Sequence, residues 1–303
     1  MALPNFYIPG AQKCATTWLA AMLRQHPEVF IPGVKEIDYY NRAGNYTRGR
    51  AWYERYFENA GGAKAVGDAT PHYLPVTSTK EECCKVIDRL LALTPHARFI
   101  VAIRNPVTRA VSSLLHAIRG GYVSPWANLD VEFDSLLAGR HSLPHVLEFG
   151  RYGGQVRAFM QHFPVERFEF VVYEQDVRTN RRETLQRMCR FLGIRADFAF
   201  RDIDRRMNTS LSTRGGLLVA QLPYRKAART AARWIERTGI WKAFSISQDT
   251  RRRLADYYTS DIEELSRLIG RDLGAWHQEN YGHNVGYETQ FAPCASPEAP
   301  TTP

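Results

Sequence analysis

The chain predicts an α/β protein of three layers, a central parallel sheet flanked by helices on both faces. Three observations carry that expectation. Strand-like runs recur at Phe6–Ile8, Val29–Ile31, Lys64–Asp68, Ala97–Ile103 and Phe168–Val172, with helical patterns between most of them. Ala97–Ile103 is nearly continuous in apolar residues, as a strand buried on both faces should be. The first and fourth runs pass through a short polar turn directly into a helix, which puts helix starts at strand ends. With 303 residues the chain can bury a large core. The expected organisation is a single domain over residues 1–285, followed by a disordered tail, 286–303, that ends in the Pro-, Ser- and Thr-rich stretch 293–303.

In chain order, Phe6-Tyr7-Ile8 stops at Pro9-Gly10 and a helix resumes from Thr17 to Arg24. The turn between them, Ala11-Gln12-Lys13-Cys14-Ala15-Thr16, has the layout of a phosphate-binding loop. Backbone N–H groups and the positive end of a helix dipole would face one anion, Lys13 would add a full charge, and Thr16 and Thr17 would add hydroxyl donors. Val34-Lys35-Glu36-Ile37-Asp38-Tyr39-Tyr40 then places a carboxylate among residues that favour extended structure. Glu36 there is either a general base facing a substrate or half of a surface Lys-Glu pair.

Residues Tyr46–Asn59 read as one amphipathic helix ending before Ala60-Gly61-Gly62. The next strand ends in Asp68-Ala69-Thr70-Pro71-His72. Ligands of open α/β sheets bind at the carboxyl ends of the strands, so Asp68, Thr70 and His72 are site candidates, and His72 is equally readable as a structural histidine. Lys80–Leu93 is helical by the spacing of Val86, Ile87, Leu90 and Leu91.

After Ile103 comes Arg104-Asn105-Pro106-Val107-Thr108-Arg109-Ala110-Val111-Ser112. Pro106 suits a first helical turn, so a second anion site is expected from Arg104 and the helix start, with Ser112 on the same face. A salt-bridged arginine and a small packing serine explain those two residues equally well. The segment Gly120–Pro144 should be a loop with a short helix, forming a substrate wall. With Tyr39, Tyr40, Tyr46, Trp52 and His72 it is a candidate acceptor pocket. Helices follow at Arg151–Phe163, Thr179–Leu192 and Thr250–Ile269, and Tyr173-Glu174 falls at the end of the fifth strand. Arg205–Gly216 reads as a basic loop, and Leu217–Phe244 as a helical stretch carrying Tyr224, Arg225, Lys226, Arg229, Arg233 and Trp234.

A formal charge of +9, mostly from arginine, favours anionic partners without choosing among nucleic acid, a phosphorylated cofactor and an acidic membrane. The first residues lack a signal-peptide pattern, and no apolar run approaches the roughly 18 residues of a membrane span. Five cysteines without metal-ligand spacing suggest reduced thiols, no metal site and a cytoplasmic location. A P-loop kinase using ATP and magnesium would require a Gly-Lys-Ser/Thr loop ending, which this sequence lacks. A nucleic-acid module would not explain two anion sites at strand ends.

Three stretches, Gly10-Ala11-Gln12-Lys13-Cys14-Ala15-Thr16-Thr17, Lys35-Glu36-Ile37-Asp38-Tyr39-Tyr40 and Arg104 to Ser112, together resemble the sulfotransferases that use 3′-phosphoadenosine 5′-phosphosulfate (PAPS). The likeness is strongest to bacterial enzymes similar to the heparan sulfate and other carbohydrate sulfotransferases, and extends more weakly through Tyr173-Glu174, Phe191–Ile194 and Asn208-Thr209-Ser210. The resemblance implies a P-loop-like fold. It also implies that the loop residues Gln12, Lys13, Cys14, Ala15, Thr16, Thr17 and Trp18 contact the nucleotide, with Lys13, Thr16 and Thr17 on the 5′-phosphosulfate. Arg104 and Ser112 would hold the 3′-phosphate, and Arg214 would add a further nucleotide contact.

Glu36 matches the family's catalytic base, with Lys13 at the leaving oxygen and His72 as the alternative base. The implied product is 3′,5′-adenosine diphosphate. The expected partner is a carbohydrate or small-molecule acceptor and not nucleic acid, with peripheral membrane contact left open for the basic 224–233 stretch. Two positions depart from the family pattern. Ala15 stands where a loop glycine is usual, and Ala69 stands where several carbohydrate enzymes carry lysine.

Overall fold

Strand residues that face helices on both sides have no solvent-facing set, and the first strand is accordingly buried at all five positions. The computed structural model describes residues 3–34, 36–74, 80–205, 211, 213–221, 230–232, 234–235 and 243–277, with side chains from residue 84 onward in the helix that starts at residue 80. Lys35, the side chain of Cys83, residues 206–210, the basic stretch 224–229, Arg233 and the tail from residue 278 lie outside the described residues.

Five strands, β1 (Phe6–Gly10), β2 (Val29–Phe30), β3 (Ala65–Asp68), β4 (Arg98–Ile103) and β5 (Phe168–Val172), form one sheet in the order β2-β3-β1-β4-β5. Every pairing is parallel. From central β1 the chain runs to the edge at β2, fills the gap with β3, then crosses β1 to lay down β4 and β5, so the strand order reverses beside β1. That reversal opens a crevice at the carboxyl ends, where α/β proteins bind ligands. All five expected strands are present.

Among the described residues the helices include α1 (Thr16–Leu23), α2 (Ala43–Tyr46), α3 (Arg50–Glu54), α4 (Lys80–Leu93), α5 (Pro106–Arg119), α6 (Leu129–Leu137), α7 (His145–Glu148), α8 (Tyr152–Met160), α9 (Arg181–Leu192), α10 (Arg214–Ala220) and α11 (Gln248–Ile269). The single helix expected over Tyr46–Asn59 is corrected. The segment is α2, α3 and a 3₁₀ stretch, Arg55–Ala60, divided at Gly49. Gly49 has φ 80, a left-handed conformation that stops α2 and lets the chain turn before α3. Among the described residues no helix is long and apolar enough to cross a membrane.

Two close approaches set the sheet's geometry. Gly67 of β3 lies opposite Phe6 of β1, and a Cβ on Gly67 would sit 2.2 Å from the Phe6 ring. Gly10 ends β1 against Leu74, where an added Cβ would come within 2.7 Å of the leucine Cβ. The Leu74 N–H donates to the Pro9 carbonyl at 2.7 Å, so the segment after β3 is seated on the loop after β1. Gly67→Ala should therefore overpack the core and lower stability by about 1–3 kcal/mol. Urea unfolding of the variant measures this, and an unchanged midpoint would contradict the packing.

Candidate active site

The loop after β1 turns through Lys13 and Ala15, both at positive φ, 71 and 68. Left-handed backbone costs an L-residue about 1–2 kcal/mol, so Ala15 carries with strain what a glycine would carry freely. Ala15 caps α1 without a side-chain hydrogen bond, and no acidic residue stands in that helix's first turn. The helix start thus keeps its positive end for a ligand, beside the charge of Lys13. Thr16 is buried and Thr17 half-buried at this start.

Cys14 is part of the loop's footing. Its Sγ lies 3.4 Å from the Tyr152 hydroxyl, and burial pushes the thiol up to about 11 despite that contact and the charges of Arg109 and Arg104. It is an unreactive packing thiol, and the electrostatic reach of Arg104 to it places the end of β4 near the loop. Trp18 is buried and donates its indole N–H to the Ile203 carbonyl at 3.1 Å, while its backbone N–H goes to Ala15. The Trp18 side chain therefore anchors the 198–205 segment to α1.

At the end of β3, Asp68 is 1 % exposed and its carboxylate accepts three hydroxyls. Tyr53 and Tyr73 donate to Oδ2 at 2.7 and 2.9 Å, and Thr70 donates to Oδ1 at 2.7 Å. Those hydroxyls in turn receive backbone N–H groups, Ile37 on Thr70 at 3.1 Å and Tyr39 on Tyr73 at 3.0 Å. The expectation that Asp68 and Thr70 face the ligand is corrected: both are sealed beneath the site and hold the 36–41 segment from below. Two residues of that segment, Glu36 and Asp38, are at positive φ, 64 and 55, and Ile37 and Tyr39 are the positions tied down beside them. Glu36 is half-buried at the end of this support.

His72 lies above Asp68, with Nδ1 3.3 Å from Asp38 Oδ1 and Nε2 3.3 Å from the Gln12 side-chain amide. The structure thus joins His72 directly to the phosphate-type loop. Burial pushes the Asp38 carboxyl up, but hydrogen bonds from His72 and Asn41, with the charge of Arg42, hold it below the ordinary value. Asp38 was not among the residues selected from sequence.

At the end of β4, Arg104 is half-buried, its Nε donates to Thr108 Oγ1 at 3.0 Å, and its guanidinium lies 4.9 Å from the Tyr173 ring centroid. The helix start beside it is not open. Asn105 Oδ1 accepts from Val107 and Thr108, and the Asn105 N–H donates to buried Glu174. Burial pushes the Glu174 carboxyl up against the opposing charge of Arg104. The expected share of the α5 start in a second anion site is corrected, because Asn105 already takes two of its N–H groups and leaves Arg104 as the charged group at this strand end. Ser112 is buried at 3 % exposure one helical turn beyond Thr108, and Arg214 opens α10 with its guanidinium 4.8 Å from the Phe244 ring. No hydrogen bond or ion pair among the described residues joins Ser112 or Arg214 to Arg104.

The acceptor side differs from the expected aromatic pocket. Tyr40 is fully buried, packed edge-on against Tyr7, Tyr53 and Tyr73, and cannot be a pocket wall. Tyr39 and Tyr46 border a cavity of about 250 Å³ with Arg50 and Arg89. His145, at the start of α7, is half-buried. Burial lowers its pKa, and the positive charge of Arg109 adds to that shift.

Known proteins share stretches of this sequence and its fold. The model of the sulfotransferase family matches residues 4–198. The membrane-associated sulfotransferase kil1 of Dictyostelium discoideum is 31% identical over 140 residues, 45% of this chain and 28% of that protein. The mouse heparan sulfate glucosamine 3-O-sulfotransferase 3B1 is 26% identical over 280 residues, 90% of this chain and 65% of that protein. This chain thus spans less than two thirds of either relative. The crystal structure of a sulfotransferase from Alicyclobacillus acidocaldarius superposes with a TM-score of 0.67 at 25% identity, covering 92% of this chain and 100% of the other.

The Asp68 support predicts a pH dependence. Burial raises the carboxyl from 3.8 to about 6 against its three hydroxyl donors. Between about pH 4 and pH 6 the folded chain keeps a proton that the unfolded chain has released, so this contribution is complete below pH 4 and lost as pH rises through about 6. The stability advantage of the wild type over Asp68→Asn should narrow by up to about 3 kcal/mol across that window. Denaturant melts at both ends check this, and an advantage that widened with pH would show a carboxylate held anionic.

Proposed function

Because the chain belongs to the sulfotransferase family, we propose that it moves the sulfuryl group of PAPS to a hydroxyl or amine of a carbohydrate or small-molecule acceptor. One observation supports this above the others: the uncapped start of α1 behind Lys13 stands at the carboxyl end of β1, and half-buried Arg104 stands at the end of neighbouring β4. Anion donors at two strand ends suit a nucleotide with phosphates at two places. Bound PAPS supplies the sulfuryl group and a phosphate leaving group, and ends as 3′,5′-adenosine diphosphate.

The chain's own residues then divide the work. Lys13 and the α1 start, with Thr16 and Thr17, meet the negative charge that grows on the leaving 5′-phosphate oxygen as its bond to sulfur breaks. Gln12, Cys14, Ala15 and Trp18 shape this loop, Cys14 and Trp18 through their buried anchors. Arg104 takes the 3′-phosphate, with Ser112 and Arg214 as the further contacts. Glu36 accepts the proton of the acceptor hydroxyl or amine as the new bond to sulfur forms. In-line transfer needs acceptor and donor aligned, and His72 links the fixed 36–41 segment, through Asp38, to Gln12 of the loop after β1. A carbohydrate acceptor is favoured by the likeness to the 3-O-sulfotransferase relatives. The ATP–magnesium kinase alternative gains no support, since no Gly-Lys pair ends the loop and β4 runs into Arg104.

Incubation of PAPS with a panel of oligosaccharides and small natural products should give one acceptor whose mass rises by a single sulfuryl group. Glu36→Gln should slow that transfer by about 10²–10⁴-fold while leaving the affinity for 3′,5′-adenosine diphosphate unchanged. Turnover near the wild-type rate in the variant would assign proton removal to His72.

A further inference from the structure

His72 is held at both ring nitrogens, and the two partners differ in kind. On one side is Asp38, 6 % exposed, its carboxyl kept below the ordinary value and therefore ionised at neutral pH. An ionised carboxylate only accepts hydrogen bonds, so Nδ1, 3.3 Å from Oδ1, carries the ring's hydrogen. In a neutral imidazole Nε2 is then a lone pair. Its partner 3.3 Å away is the Nε2 amide of Gln12, a donor, in the residue directly before Lys13.

Asp38 is itself fixed from several directions. Asn41 donates to Oδ1 at 3.0 Å, Arg42 pairs with Oδ2 at 3.1 Å, and Asn45 holds the Ile37 and Asp38 carbonyls at 3.1 and 3.2 Å. The His72 side chain remains 26 % exposed, so the ring is oriented without being sealed. A histidine that served packing alone would be closed over.

We propose that Asp38 is a positioning residue. It locks His72 in the Nδ1–H tautomer, so that the Nε2 lone pair at the phosphate loop accepts a hydrogen bond from the incoming hydroxyl or amine and aligns it with the sulfuryl group. The Gln12 amide occupies that lone pair until the acceptor arrives. Proton removal stays with Glu36, so His72 need not change its charge. The role in transfer rests on the sulfotransferase reading, while the tautomer rests on the geometry of Asp38, His72 and Gln12 alone.

The full chain with ¹⁵N-labelled histidine, in mildly alkaline buffer, reads the tautomer from long-range ¹H–¹⁵N correlations, and His72→Ala identifies the signal. The wild type should show the Nδ1–H pattern at His72. Asp38→Asn, whose side chain keeps the shape and tolerates the left-handed backbone, should shift the ring toward the Nε2–H form. The same variant should slow conversion of PAPS to 3′,5′-adenosine diphosphate, with water as acceptor, by about 10- to 100-fold. Its affinity for 3′,5′-adenosine diphosphate should not change, and Asp38→Glu should restore part of the rate. A wild-type His72 in the Nε2–H form, or an Asp38→Asn variant with the wild-type rate, would overturn the proposal. A wild type that bound no 3′,5′-adenosine diphosphate while showing the Nδ1–H pattern would instead overturn the sulfotransferase reading.

Discussion

The carboxylate of Asp68 is the constraint on which the site depends. Three hydroxyls point into it, and two of them pass the restraint on to the backbone at Ile37 and Tyr39. That anchor, with the local bonds from Asn41, Arg42 and Asn45, holds a segment in which Glu36 and Asp38 stand at positive φ, a conformation each of them adopts at a cost of about 1 kcal/mol or more. The strain sits at the two acidic residues and its compensation lies one layer below. Tyr7, Tyr40 and Thr94 extend the same buried polar cluster toward the start of β4, so the support joins three strands rather than one loop. A network with every hydroxyl engaged is rigid, which is what a catalytic segment needs.

The two strand ends proposed to bind anions are built on different physics. At β1 the backbone does the work: a helix start with no side-chain cap and no acidic residue near it leaves its dipole available beside Lys13. At β4 the corresponding helix start is already satisfied by Asn105 and Glu174, so charge has to come from the Arg104 side chain. Glu174 is buried beside that arginine, and burial pushes its carboxyl up against the opposing charge of Arg104. On the proposed reading the first end meets charge that develops during transfer, and the second holds charge that never changes. A preorganised dipole suits the former and a charge-assisted bond the latter.

Much of the fold was legible because buried parallel strands leave a continuous apolar trace, as Phe99–Ile103 does, and because Pro106 and Gly193 mark helix ends. The break at Gly49 was not legible, since a glycine within an amphipathic pattern does not announce a left-handed φ. Lys13, Thr16 and Arg104 could be picked out as candidates from their positions at strand ends. Asp38 could not, since its partner His72 is 34 residues away and the contact exists only because Gly10 lets the segment after β3 settle onto the loop. Asp68 was seen as a polar group at a strand end, but depth beneath the surface is a tertiary property. Arg109 shows the same limit: it reads as one more basic residue of a helix, yet it is wholly buried and bonded to the Val146 carbonyl.

On the proposed reading Lys13 and Arg104 grip opposite phosphates of one nucleotide. Calorimetric titration with 3′,5′-adenosine diphosphate and with 5′-AMP, in chelator, for the wild type and Arg104→Ala, tests this. The wild type should prefer the 3′-phosphorylated ligand by about 10- to 100-fold, the worth of a charge-assisted contact. Arg104→Ala should lose this preference while still binding 5′-AMP. Equal affinity of the wild type for both ligands, or binding confined to ATP with magnesium, would contradict the reading.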